Sequence, residues 1–189
     1  MKKALFLLTS AAILSFTANA ESWNVDRAHS GVKFTVTHML ISDVDGSFKD
    51  FSGTVTSAKE DFSDLKTQFT IQSNSIFTDN SKRDEHLISS DFFDAAKYPT
   101  IQFTSSSFKK NSAKKYTLTG KLTMLGVTKD VKWDVKASDI IKDPYGNNRA
   151  GFKATTTIKR SDFALASSTP NAVVSDEVSI TVNLEVTKK

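Results

Sequence analysis

This 189-residue chain offers little to chemistry: three histidines, no cysteine and one dense polar cluster. Without cysteine there is no disulfide, no thiolate metal ligand and no thiol nucleophile. His29 and His38 stand nine residues apart on one extended run. That is about 30 Å at strand rise, too far to share a metal. No H-x-x-x-H or H-E-x-x-H spacing occurs, nor a G-x-S-x-G elbow, a phosphate-binding glycine loop or a dinucleotide fingerprint. Asp43-Val44-Asp45-Gly46 has the look of a calcium loop. Its first and last ligand positions would be Ile41 and Ser52, so that reading is rejected. No metal and no cofactor is expected.

The polar cluster is Asn80, Arg83, Asp84 and His86. The simpler reading is a helix cap with an Asp84–Arg83 pair on the surface. The functional reading is a polar collar at the mouth of a cavity, and its enzymatic form uses His86 with Asp84. His38 ends an apolar series and reads as a core histidine with a satisfied hydrogen bond. Phe92-Phe93 is core, or cavity wall if the core is hollow. Trp23 and Trp133 read as packing anchors.

The elements that must position these residues are strands. Val178, Ile180, Val182, Leu184 and Val186 alternate with Ser179, Thr181, Asn183, Glu185 and Thr187. That is a half-buried antiparallel strand. Val32, Phe34, Val36 and His38 repeat the pattern. So do Leu65, Thr67, Phe69 and Ile71, and then Tyr116, Leu118, Gly120, Leu122 and Met124. Val131, Trp133 and Val135 make another set, as do Phe152, Ala154, Thr156 and Ile158. Shorter stretches at 48–56 and 99–108 bring the expected strands to eight, three before residue 75 and five after residue 98. Gly126-Val127-Thr128-Lys129 reads as a hairpin turn, and residues 143–148 as a dense turn cluster. Asp79 to Lys97 breaks the alternation. Ser81-Lys82-Arg83-Asp84 has capping-box form, and a second short helical turn over 91–97 would stop at Pro99. The spacing predicts a short helical excursion between strands 3 and 4.

Eight antiparallel strands can close and so remove their exposed edges. Strands of about ten residues at a ~40° tilt leave a lumen roughly 25 Å deep. Phe34, Val36, Phe69, Leu118, Leu122, Ile180 and Val182 are expected to point into it. The inward set is almost wholly apolar and holds several of the 14 phenylalanines, so the lumen suits a long greasy chain.

Residues 1–20 read as a secretory signal peptide: Lys2-Lys3, a short apolar core to Phe16, then Ala18-Asn19-Ala20. The run is too short to span a bilayer, which takes roughly 20 apolar residues. The mature domain is then 21–189, and the chain is expected to be exported. The formal charge is +4, of which Lys2 and Lys3 supply two. The remaining lysines are scattered, which argues against a nucleic-acid partner, and no later segment resembles a transmembrane helix. Nothing in the sequence shows a homodimer, though one would lengthen the lumen.

The chain resembles the YceI-like family of periplasmic lipid-binding proteins along the whole mature length. The resemblance rests on several blocks. They are Trp23-x-Val25-Asp26-x-x-His29-Ser30, Val32-x-Phe34-x-Val36-x-His38-Met39 and Gly46-x-Phe48-x-x-Phe51-x-Gly53. Further on come Asn80-x-x-Arg83-Asp84-x-His86-Leu87, Asp91-Phe92-Phe93-Asp94, Tyr98-Pro99-Thr100-Ile101-x-Phe103, Arg160-Ser161-Asp162-Phe163 and Ser175-Asp176-Glu177-Val178. Leu125 stands where the family pattern has a polar residue, and Ala164 where it has glycine. The resemblance implies an all-β, lipocalin-like eight-stranded antiparallel barrel that binds a long-chain isoprenoid or fatty lipid without catalysis. It also implies that His38, Arg83, Asp84, His86, Leu87, Phe92 and Phe93 join the inward set as ligand-binding residues. A lipid-modifying enzyme and an interaction module with a filled core are the competing readings.

Overall fold

Inward alternation reaches furthest in the last two long strands, β11 (Asn148–Lys159) and β12 (Glu177–Lys188). They pair antiparallel along their whole length, from Asn148 opposite Lys188 to Lys159 opposite Glu177. The computed structural model describes residues 20–188; the expected signal peptide lies outside them apart from Ala20.

Ten strands precede this pair. They are β1 (Glu21–Val25), β2 (Gly31–His38), β3 (Ser42–Phe48), β4 (Phe51–Ser57), β5 (Lys66–Gln72), β6 (Ile76–Phe77), β7 (Thr100–Ser112), β8 (Lys115–Met124), β9 (Val127–Ala137) and β10 (Ile141–Lys142). Several are two halves of one strand. A 3-10 turn at Arg27–His29 separates β1 from β2, and another at Ser73–Ser75 separates β5 from β6. β1 pairs with β4 while β2 pairs with β3, so β1–β2 and β3–β4 are two bent neighbours. Merged in this way, the strands make eight in a meander, and β12 closes the ring against β1 and β2. The protein is an eight-stranded closed antiparallel barrel. β1 extends the first strand beyond the sequence expectation, because Trp23, buried between β4 and β12, belongs to a strand rather than standing as an isolated anchor.

The connections refine three expectations. Met124 pairs with Val127, so the tight turn is Leu125-Gly126, both at positive φ, and Val127 to Lys129 already belong to β9. The helix α1 (Ser81–Ile88), the one α-helix among the described residues, is capped by Asn80, whose side chain accepts from the Arg83 amide, not by Ser81. Residues 91–97 form turns rather than a second helix, held by Phe93 N–H on Leu87 O and Ala95 N–H on Ile88 O. Ala164 sits in the left-handed region, which accounts for a glycine preference there. No helix among the described residues is long and apolar enough to cross a membrane.

The meander puts the Lys59–Asp64 loop, the β7–β8 turn and the chain end at one end of the barrel. Phe62 plugs this end. It packs 5.3 Å from Trp23 and edge-on to Phe152 at 4.9 Å, while the Tyr116 hydroxyl donates to Asp61 O at 2.6 Å. Beside the plug, Arg149 ties three segments together. It donates to Asp143 at 2.9 Å, to Asp26 at 2.8 Å and to Glu185. Asp26, His29 and Glu185 lie close enough together to suggest a cation site, but the guanidinium already neutralises two of them.

Arg149, then His29, hold Asp26 at a pKa of about 2. Burial works to raise Asp143, but Arg149 and Asn147 outweigh it and leave that group at about 2 as well. A depressed carboxylate contributes stability above its ordinary value near 4 and loses it as pH falls toward 2. Arg149→Met therefore lowers the urea midpoint at pH 7, and the gap to wild type narrows between pH 4 and 2. A gap independent of pH would mean that Arg149 acts through packing alone.

Candidate functional site

Inside the barrel lies a cavity of about 710 Å³, within the ~300–1,000 Å³ usual for ligand sites. Its wall is apolar from the plug upward, built from inward residues of every strand except β1 and β10. Phe34, Val36, Phe69, Leu118, Leu122, Ile180 and Val182 all line it, as alternation requires. Phe103, Phe108, Trp133, Phe152 and Leu184 line it as well. The polar lining, apart from Thr67 near the floor and Lys33 on β2, belongs to the opposite end: His38, Thr78, Arg83, His86, Asp91, Arg160, Ser168 and Thr169. There the β2–β3 turn, the α1 segment and the long loop from Arg160 to Asp176 meet.

That end departs from the sequence reading in four ways. Asp84 does not line the cavity. Its carboxylate accepts from the Thr78 amide at 2.9 Å and the Thr78 hydroxyl at 2.5 Å. Arg83 does not pair with it. Its Nε and Nη2 donate to the hydroxyl and carbonyl of the same Thr78, both at 2.7 Å. Both side chains therefore lock the turn entering α1, and Nη1 of Arg83 has no hydrogen-bond partner among the described residues. The carboxylate beside His86 is Asp91, not Asp84, with Nε2 to Oδ2 at 3.4 Å, and the His86 ring meets Phe92 edge-on at 4.9 Å. His86 is thus placed by the turn C-terminal to the helix, and the Asp84–His86 pair that the competing enzyme reading required does not form. Leu87, Phe92 and Phe93 line the wall as expected, Phe93 edge-on to Phe48 at 5.7 Å. His38 is exposed at the rim rather than buried in the core.

The residue that sequence reasoning passed over is Arg160. It is 4% exposed and lines the cavity. Its guanidinium donates to five backbone carbonyls, Leu165, Ala166, Thr169, Val174 and Ser175, and to the Asn171 side chain, at 2.6 to 3.3 Å. Among the described residues it forms no ion pair; Asp176 instead accepts from Ser161. One cation thus winds the Arg160–Asp176 loop into the rim, where Leu165, Ala166, Val173 and Val174 complete the wall.

The chain matches the family model of the YceI-like domain over residues 23–186. The chain belongs to the YceI-like family. A UPF0312 protein of Pectobacterium carotovorum subsp. carotovorum is 38% identical over 189 residues, covering 98% of this chain and 97% of the relative. BcnA of Burkholderia cenocepacia has the same fold in its crystal structure, with a TM-score of 0.77, 28% identity, and coverage of 86% of this chain and 99% of that one. A polyisoprenoid-binding domain from Saccharophagus degradans shares the fold at a TM-score of 0.67 and 16% identity, over 89% of this chain and 98% of its own.

The lumen of this YceI-like barrel stays open because large rings lie flat on its wall. Phe34 is paired with Gly46 and Phe69 with Gly53 on the neighbouring strand. A methyl group at Gly46 would meet the Phe34 ring at 2.1 Å, and one at Gly53 the Phe69 ring at 2.6 Å. Each ring occupies the space that a side chain would fill, so it covers backbone instead of projecting into the lumen. Gly120 serves Phe103 in the same way, at 2.4 Å. Trp133 also lines the cavity, edge-on to Phe103 at 5.9 Å, and its indole N–H is buried without a partner among the described residues.

Proposed function

We propose that this protein is exported through the residue 1–20 signal to the periplasm. There the mature domain, 21–189, binds a long-chain isoprenoid or a similar amphiphilic lipid and carries or stores it unchanged. The observation that carries this reading is the cavity: closed by a plug at one end, apolar along its wall, and polar at the other. Such a site takes an extended tail in and leaves a head group at the rim. The Saccharophagus degradans protein that shares the fold binds polyisoprenoid, which supports the same ligand class.

Organic extraction of the purified protein, with mass spectrometry of the extract, tests the reading directly. A stoichiometric long-chain lipid is the expected result, and an empty protein that also fails to bind added isoprenoid overturns it. Loading should change the emission of Trp133, one of only two tryptophans, and that change should vanish in Trp133→Phe.

Arg83 is the cation placed to meet an anionic head group. Arg83→Ala should weaken binding of an isoprenyl phosphate by a charge-assisted hydrogen bond, on the order of 1.5–3 kcal/mol. Binding of the matching neutral alcohol should change less. Equal affinity for the phosphate in variant and wild type, with the barrel intact by circular dichroism, would confine Arg83 to its bonds with Thr78.

A further inference from the structure

The β2–β3 turn carries three consecutive large apolar side chains in solvent: Met39, Leu40 and Ile41, exposed to 56, 70 and 84%. Val173 of the rim loop adjoins them, its carbonyl accepting from the Met39 amide at 2.9 Å, and is itself exposed. No residue from Met39 to Ser42 has an ionisable side chain. The backbone makes this composition stranger. Met39 and Leu40 have φ of +50° and +61°, a region that glycine and asparagine enter easily and bulky side chains do not. Conformation and solvation both favour small polar residues in such a turn. The sequence places apolar bulk there instead.

The position of the turn says what this bulk can serve. The strands that it joins line the cavity through Val36 and Val44, and the rim loop beside it lines the cavity through Val173 and Val174. The exposed tip therefore stands at the polar, open end of the lumen, continuous with its wall.

We propose that Met39, Leu40 and Ile41 are a membrane-docking tip that inserts into a bilayer surface, so that the cavity mouth opens onto lipid. The inference rests in part on the lipid-carrier reading: a tail insoluble in water gains a path from bilayer to lumen that never crosses solvent. Size selects the occupant. A stable protein partner needs roughly 800 Å² on each side, far more than three side chains provide, whereas interfacial anchoring needs apolar groups buried only ~5–10 Å deep. The absence of charge makes the contact an apolar insertion rather than an electrostatic attachment.

Flotation with phosphatidylcholine vesicles compares the wild-type mature chain with the double variant Leu40→Asn, Ile41→Ser. Neither residue lines the cavity, and asparagine suits the left-handed turn, so the barrel should fold normally. Wild type should float with the vesicles at low and at 0.5 M salt, and the variant's partitioning should fall at least tenfold. Transfer of a fluorescent isoprenoid alcohol between two vesicle populations should slow by a similar factor. Equilibrium binding of a short, water-soluble isoprenoid, read from Trp133, should not change. Equal flotation of the two proteins overturns the proposal, as does flotation abolished by salt. A wild-type dimer that does not float, and that the variant makes monomeric, would reassign the tip to self-association and also overturn it. If neither protein binds isoprenoid but flotation still separates them, the cargo reading fails and the docking tip stands.

Discussion

Replacing Arg160 by alanine should destabilise the barrel by on the order of 3–5 kcal/mol, a larger loss than most single substitutions cause. The guanidinium supplies donors to five carbonyls and one side-chain amide of a single loop. Without it those acceptors stay buried and unpaired at about 1–3 kcal/mol each, or the loop opens to water and uncovers Leu165, Ala166 and Val174. Opening is the cheaper course, so the total falls below the sum. Lysine should recover only a small part, because one ammonium with three donors cannot replace a planar fork that reaches six acceptors. For a domain of this size, each 1 kcal/mol lowers the melting temperature by roughly 2–4 °C, so a fall of about 10 °C is expected. Limited proteolysis should cut the variant between Leu165 and Val174. A melting temperature within about 2 °C of wild type would show that the loop holds its place by backbone pairing alone, through Arg160 N–H on Asp176 O and the bridge between His38 and Val174.

Arg160 also marks where legibility ended. Alternation exposed the inward faces of β2, β5, β8 and β12 because each keeps its parity from end to end. It did not expose Phe108. A bulge between Ser105 and Ser107 shifts the register of β7 against β8, so Phe103 and Phe108, five apart and of opposite parity, both face the lumen. The rim loop has no periodicity at all, and its residues line the wall only because a buried arginine gathers their carbonyls. Arginine is seldom fully buried, and nothing in Arg160-Ser161-Asp162-Phe163 announces an exception. The collar was half legible. Arg83 and His86 reach the mouth as expected, but a sequence cannot show that Asp84 turns back to Thr78 while Asp91 comes forward to His86. The glycines opposite Phe34 and Phe69 were visible as residues, yet their use depends on cross-strand register, which alternation within one strand does not contain.

The same glycines set the limit on cargo length. Affinity along a homologous isoprenoid series should climb steeply and then level off. Each methylene moved from water into the lumen contributes about 0.8 kcal/mol, against roughly 1 kcal/mol net for one polar contact at the rim. The tail therefore outweighs the head until the lumen is full. At ~30 Å³ for a group the size of a water molecule, the 710 Å³ cavity fills at on the order of twenty carbons. Gly53→Ala shifts that limit in a stated direction. The new methyl would lie 2.6–2.7 Å from three atoms of the Phe69 ring, so the ring must swing off the wall into the lumen. Short tails should then bind the variant nearly as well as wild type, while the plateau arrives at shorter chains. Competition binding over a series of chain lengths, with product assayed in the same tubes, decides the matter. Affinity indifferent to tail length in wild type would sink the carrier reading. Sustained turnover lost in His86→Ala would replace it with an enzyme working at the rim, where His86 and Asp91 already stand within 3.4 Å.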